Sequence, residues 1–461
     1  MVADGPSRRF TDPRWIEVTE RLLDQLRGQI HLIQSSQERQ EVVATALDHV
    51  FGDGEHAALP ADAPTEQERQ EFLHYFLSYD LIEEFLQDPT VEDVIINGMD
   101  PIFVHRTDAG MVKTDKRFST SRELSLFIKK LMIFGGRSEV GPINDIELAD
   151  IRGRVNIVLS PFGPQITITR AKERPLSILQ LVENRTLTYE LAAQLWVYVE
   201  GLGARPANLI IAGGPGCGKT TLLNALLSFT PPTERLVIIE DTLELNTQFL
   251  DDCSRLESSR SVTLADLVKN SLRMRPDRII VGEVRGEEAR DLMTIANIGK
   301  YCMGTLHAST ARETITRLQN QPMDVPEALV NLIDVFIVLK RFRSGEDMVR
   351  VVGDVVETAG LEKQVVLLSS VWSYNVERQQ SFETSPSSVF RDRLAEATGL
   401  TPKQILEETK RRAEVLQLMH TTLRLTDIAQ MTQFCQLYVT HPGQVLAQLG
   451  LATPRAKGKS T

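Results

Sequence analysis

The chain has 461 residues, 42% hydrophobic and 25% charged, with a formal net charge of -11. That length accommodates about three domains with substantial cores, and that composition leaves little room for extended disorder. The acidic balance argues against a general polyanion binder, so no DNA partner is expected. No apolar run nears the ~18 residues of a membrane-spanning helix, and Met1 to Arg9 lack the apolar segment of a secretory signal. Cys217, Cys253, Cys302 and Cys435 are scattered with no C-x-x-C pair, which disfavours a disulfide scaffold or a structural zinc and suits a reducing cytoplasm.

Residues 1–70 read as a helical extension and linker. Ile16, Val18, Leu22, Leu23 and Leu26 carry helical spacing, and Gly52 to Gln67 is rich in Pro, Ala, Gly and acid. An α+β domain is expected over 71–175. Its strands are Val91 to Ile96 and Ile102 to His105, joined by the turn Asn97-Gly98-Met99-Asp100, then Arg154 to Leu159 and Gln165 to Arg170. Thr120-Ser121-Arg122-Glu123 is a capping box that opens a helix ending at Gly135-Gly136. From 176 to 375 buried strands alternate with helices, the signature of an α/β domain with a parallel sheet. The expected strands are Leu209 to Ala212, Leu236 to Ile239 and Ile279 to Val281, with Val335 to Leu339 as a later candidate. Thr263 caps an intervening helix, and a β-rich piece covers about 349 to 374. A helical C-terminal extension is expected over 376–461, opened by Thr401-Pro402-Lys403-Gln404 and closed by the basic Arg455 to Thr461.

The chemistry concentrates in Gly213-Gly214-Pro215-Gly216-Cys217-Gly218-Lys219-Thr220, which fits the phosphate-loop pattern G-x-x-x-x-G-K-[ST] between a strand and a helix. The glycines let backbone N–H groups converge on phosphate oxygens, and the helix N-terminus favours negative charge. Lys219 is placed to reach the β/γ-phosphates of a nucleoside triphosphate and the Thr220 hydroxyl to ligate Mg²⁺, with Thr221 closing the motif. Two further apolar strands end in acid: Glu240 and Asp241, twenty-one residues beyond Lys219, and Glu283. Ligands of parallel sheets sit at the carboxyl ends of strands, so these acids are expected around the phosphates. One carboxylate is needed for Mg²⁺ or its waters, and another to orient or deprotonate the attacking water. His307 lies twenty-four residues past Glu283; a lone histidine carries no chemistry by itself.

The segments GGPGCGKTT (213–221), IIEDTLEL (238–245), SLRMRPDRIIVGEVRG (271–286) and MGTLHAS (303–309) together resemble the type II/IV secretion ATPases. The resemblance covers residues 80 to about 350, and VEDVIING (91–98) is similar to the opening of that family's sensor-like N-domain. It implies a RecA-like P-loop ATPase domain preceded by a PAS-like α+β domain, in a homo-hexamer that binds ATP and Mg²⁺ between domains. By matching position it implies Lys219 and Thr220 in Walker A, Glu240 as the water-orienting base, and Glu283 in Walker B acting through Mg²⁺ waters. The two glutamate roles are interchangeable on sequence grounds. It further implies γ-phosphate sensing by His307, and Arg154 and Arg170 approaching phosphates from an adjoining subunit. In two places the chain departs from the pattern: Asn297 to Cys302 lacks the usual N-T-G-H-D-G histidine, and no tetracysteine insertion is present.

Met303 to Leu318, Pro322 to Pro326 and the tail from Leu394 to Glu414 are similar to archaeal filament ATPases, and Val91 to Arg106 to tight-adherence pilus ATPases. The implied machine is a cytoplasmic motor at the inner face of the membrane, acting on a polytopic platform protein of a filament or secretion apparatus. A DNA-translocating conjugative motor and a nucleotide-switched scaffold with little hydrolysis are the alternatives.

Overall fold

The computed structural model describes residues 10, 12–32, 34–52, 64–106, 109–151, 153–170, 175–259, 261–344 and 347–451, and it divides into two units, Met1–Glu173 and Arg174–Thr461. Met1 to Arg9, the 53–63 part of the expected linker and the basic 455–461 segment lie outside the described residues.

The first unit runs α1 (Pro13–Gln25), α2 (Ser36–Gly52), α3 (Glu66–Leu77), α4 (Glu83–Gln87), β1 (Val91–Asn97), β2 (Ile102–Arg106), β3 (Gly110–Lys113), α5 (Ser121–Phe134), β4 (Ile143–Leu148), β5 (Gly153–Ser160) and β6 (Gly163–Arg170). Its six strands form one antiparallel sheet in the order β3-β2-β1-β6-β5-β4. Alternation sets the register: Val94 and Ile96 of β1 and Ile166 and Ile168 of β6 are buried on the face that α5 covers. Thr120 caps α5 by accepting from the Glu123 N–H, and the helix stops at Gly135, where a Cβ would lie 2.9 Å from Ile146. The preceding helices share this core. Trp15 stacks on Phe72 at 4.5 Å and meets Phe10 edge-on, while Val18, Leu22, Leu23 and Leu26 are buried with the sheet residues.

The second unit contains α6 (Ile178–Glu183), α7 (Tyr189–Glu200), β7 (Leu209–Gly213), α8 (Lys219–Leu227), β8 (Leu236–Glu240), β9 (Cys253–Glu257), α9 (Leu264–Ser271), β10 (Arg278–Val281), α10 (Glu288–Asn297), β11 (Tyr301–Leu306), α11 (Ala311–Gln319) and α12 (Glu327–Val330). It continues with β12 (Val335–Ser344), β13 (Asp347–Glu362), β14 (Val365–Asn375), β15 (Gln380–Glu383), α13 (Val389–Thr398), α14 (Pro402–Thr421), α15 (Ile428–Thr440) and α16 (Pro442–Gln448). Nine strands make one sheet in the order β15-β14-β13-β12-β7-β11-β10-β8-β9; β12 through β9 pair in parallel and β12 through β15 antiparallel. This is an α/β fold with helices on both faces. The continuous apolar runs follow from that burial: Leu209 and Ile211 of β7 join the core on one face, Ile210 and Ala212 the core on the other. β11, which carries the histidine segment, lies between β7 and β10 although its sequence, YCMGTL, has neither alternation nor a β-branched run.

Candidate functional site

Parallel pairing brings four strand ends to one edge. Leu306 of β11 is opposite Ala212 of β7, Val281 of β10 is opposite Gly304 of β11, and Val281 is also opposite Ile239 of β8. The last residues of β7 and β8, Gly213 and Glu240, and the residues just past β11 and β10, His307 and Gly282-Glu283, therefore lie at the same edge. The strand order also changes direction at β7, whose neighbours β11 and β12 both come later in the chain. Such a switch point is where open α/β sheets form their ligand crevice.

The connection from β7 to α8 is the glycine loop. Gly216 and Gly218 have φ of +66° and +95°, in the left-handed region that glycine occupies without steric cost, and Gly218 is the N-cap of α8. Gly213 is packed so closely that a Cβ would lie 2.4 Å from the Cys217 sulfur. Cys217 is buried, and burial pushes its thiol pKa up against the opposing Lys219 charge, so it serves as a small filler inside the loop. Gly214 is half-buried, Pro215 and Gly216 are exposed, and Thr220 and Thr221 are half-buried in the first turn of α8.

Three of the expected residues meet. Lys219 is buried, its Nζ donating to the Gly214 carbonyl at 3.2 Å and standing 3.4 Å from Nδ1 of His307. His307 Nε2 is 2.9 Å from Glu283 Oε1, and Glu283 Oε2 accepts from Arg285 Nη2 at 2.6 Å. Burial lowers the His307 pKa, with the Lys219 and Arg285 charges acting the same way and Glu283 opposing them. Burial thus favours the neutral imidazole, with Nδ1 facing the Lys219 ammonium and Nε2 facing Glu283 Oε1, which has no hydrogen-bond partner among the described residues. For Glu283, burial raises the pKa but the Arg285 hydrogen bond and charge, with His307 and Lys219, outweigh it, and the net shift is downward.

Glu240 is held differently. Its side chain is 3% exposed, Oε1 accepts from the N–H groups of Glu244 and Leu245 at 3.0 Å each, and Arg255 Nη2 stands 3.5 Å from Oε2. Burial dominates over these donors and lifts its pKa to about 7. The side chain lies over Gly282, where a Cβ would come within 2.9 Å of its Cγ, so the segment between β10 and Glu283 must be glycine for Glu240 to sit there. Arg154 and Arg170 belong to the first unit. Arg154 is half-buried on β5, 3.6 Å from Asp145, and opposite Thr169; Arg170 donates to the carbonyls of Asp88 and Val91 at 2.5 and 3.3 Å.

Two contributors were not singled out from sequence. Arg285 lies inside a quoted motif but has no separate signal, and Arg255 sits on β9, an edge strand with weak alternation. Among the described residues no helix is long and apolar enough to cross a membrane.

A profile described as Type II/IV secretion system protein matches residues 143–340. An uncharacterized protein of Methanocaldococcus jannaschii is 33% identical over 378 residues, which cover 77% of this chain and 67% of that protein. The probable conjugal transfer protein TrbB of Sinorhizobium fredii is 30% identical over 273 residues, 56% of this chain and 82% of that one. The ATPase DotB of Legionella pneumophila aligns in structure with a TM-score of 0.45 and 19% identity, over 76% of this chain and 92% of that one.

Proposed function

We propose a function from one premise: the chain belongs to the type II/IV secretion system ATPase family. It hydrolyses ATP as a hexameric motor at the inner face of the membrane and drives a type IV-like filament, or secretion, through a membrane platform protein. The observation that carries this reading is the convergence of Lys219, His307 and Glu283 at the carboxyl edge of the sheet, beside a glycine loop with the left-handed φ angles of a phosphate cradle.

In this reading the loop N–H groups and the N-terminus of α8 hold the phosphates, and Lys219 exchanges its Gly214 and His307 partners for β/γ oxygens. His307, neutral and bridging Lys219 to Glu283, registers whether the γ-phosphate is present. The donors around Glu283 and Thr220 are oxygens, which suits Mg²⁺: Thr220 would ligate it and Glu283 hold its waters, and the ion would neutralise phosphate charge. Glu240, with its pKa lifted near neutrality, orients the attacking water and takes its proton. Arg154 and Arg170 complete the site from an adjoining subunit and stabilise charge on the transferred group.

A second reading, a conjugative secretion motor, is favoured by the 30% identity to TrbB. It predicts turnover stimulated by DNA with a steep loss as salt rises, whereas the filament motor is indifferent to DNA. Mg²⁺-dependent phosphate release from ATP by the full chain tests the central claim. Lys219→Ala should reduce turnover to background; wild-type turnover in that variant would remove the assignment.

A further inference from the structure

β12 and β13 run past the end of β7 and stand beside the phosphate loop, on the side away from His307. Arg341 of β12 and Arg350 of β13 are direct cross-strand partners there, and both are exposed. Like charges placed opposite one another destabilise a ladder. Among the described residues neither guanidinium pairs with a carboxylate that would offset this. Instead both turn to the loop. Arg350 Nε donates to the Gly216 carbonyl at 2.9 Å, and Arg341 comes so close that a Cβ on Gly216 would lie 2.7 Å from its Nη1. Gly216 thus gives room to a guanidinium as well as allowing a left-handed turn.

Two facing cations beside a loop built to cradle phosphates call for an anion between them. Strand order says which part of the nucleotide that is. β7 lies between β11 and β12, and Lys219 turns toward His307 on the β11 side, where the γ-phosphate chemistry gathers. The arginines occupy the β12 side, past which the rest of the phosphate chain must run. We propose that Arg341 and Arg350 form a same-chain cation pair that binds the α- and β-phosphates of the nucleotide, with Arg350 also holding the loop through the Gly216 carbonyl. The inference rests on the ATPase reading above and adds a binding element to it. Because the pair touches phosphates common to ATP and ADP, it sets affinity for both and does not discriminate the γ-phosphate.

The test is direct binding of fluorescent ADP and of a non-hydrolysable ATP analogue to the full chain. Arg341→Gln should weaken both nucleotides alike by about 10-fold or more, the loss of a charged partner to phosphate, and Arg341→Lys should restore most of it. The melting temperature without nucleotide should not fall below the wild-type value, since one of two like charges facing each other across the strands is removed. Affinities within twofold of wild type, while Lys219→Ala loses binding, would overturn this inference and leave the ATPase reading intact. Loss confined to the ATP analogue would overturn the α/β placement. A lowered melting temperature with no rescue by lysine would reduce the pair to packing. A wild-type chain that binds neither nucleotide would overturn both readings together.

Discussion

Glu240 and Glu283 end neighbouring strands and carry the same functional group, yet their surroundings drive them apart. Glu240 is buried and reaches a pKa of about 7, above its ordinary 4.5. Between those pH values the folded chain keeps a proton that the unfolded chain has released, so stability from this group falls as pH rises through that window. Glu240→Gln should therefore melt at the wild-type temperature near pH 4.5 and roughly a few degrees higher above pH 7. Identical melting curves at pH 8 would show that the carboxylate is not strained by burial. If Glu240 is the base, turnover rises with pH through about 7; a rate flat from pH 6 to 8 would take that role from it. Glu283 has its pKa lowered and is ionised throughout this range. Glu283→Gln should keep ATP binding and stop turnover, and an unchanged rate would reassign it as a structural partner of Arg285.

At the scale of elements, a buried ion pair ties the C-terminal helix α14 to α7 within their shared apolar core. Arg412 of α14 bonds Glu200 of α7 at 2.8 Å, with both side chains at most 4% exposed, and its guanidinium lies over Trp196 at 4.7 Å. Removing one member of such a pair leaves a buried charge without compensation, at a cost of about 3–5 kcal/mol. Arg412→Ala should lower stability by that order in a denaturant titration, and Glu200→Gln added to it should recover part of the loss. Additive effects would mean that the two residues act separately. Hydrogen bonds also position the candidate site: Thr305 donates to the Gly282 carbonyl at 2.6 Å, and Val284 N–H bonds the Thr305 carbonyl. These bonds tie the end of β10 to β11 and so hold Glu283 beside His307.

The whole molecule is proposed to work as a ring, and the arginines of the first unit are the place to test it. Arg170 already spends its guanidinium on the Asp88 and Val91 carbonyls, so its removal would disturb the sheet end as well as any trans role. Arg154 is the cleaner probe, since it makes no such backbone contacts among the described residues and stands 3.6 Å from Asp145 on the paired strand. Arg154→Ala and Lys219→Ala chains should each be inactive alone and recover partial turnover when mixed, because some interfaces then pair an intact loop with an intact arginine. No recovery at any ratio, with both variants still forming rings, would exclude shared sites. Turnover per subunit should likewise climb steeply with protein concentration if sites are completed by neighbours.

Local chemistry carried much of this in the one-dimensional chain. The phosphate loop, the apolar runs of β7, β8 and β10, and the caps at Thr120, Thr263 and Thr401 all depend on neighbours within a few residues, and each occurs where its spacing predicts. β11 was illegible because its strand character comes from burial between β7 and β10, a property of the sheet order and not of YCMGTL. For the same reason the long-range partners of Glu240 and of the phosphate loop were hidden: Arg255 meets Glu240 from an edge strand, and Arg341 and Arg350 meet Gly216 more than a hundred residues along the chain. Residue types and short-range spacing decided what chemistry is available. Only the folding of distant strands into one sheet decided which of those groups stand together, because burial and charge pairing exist only once the chain has closed on itself.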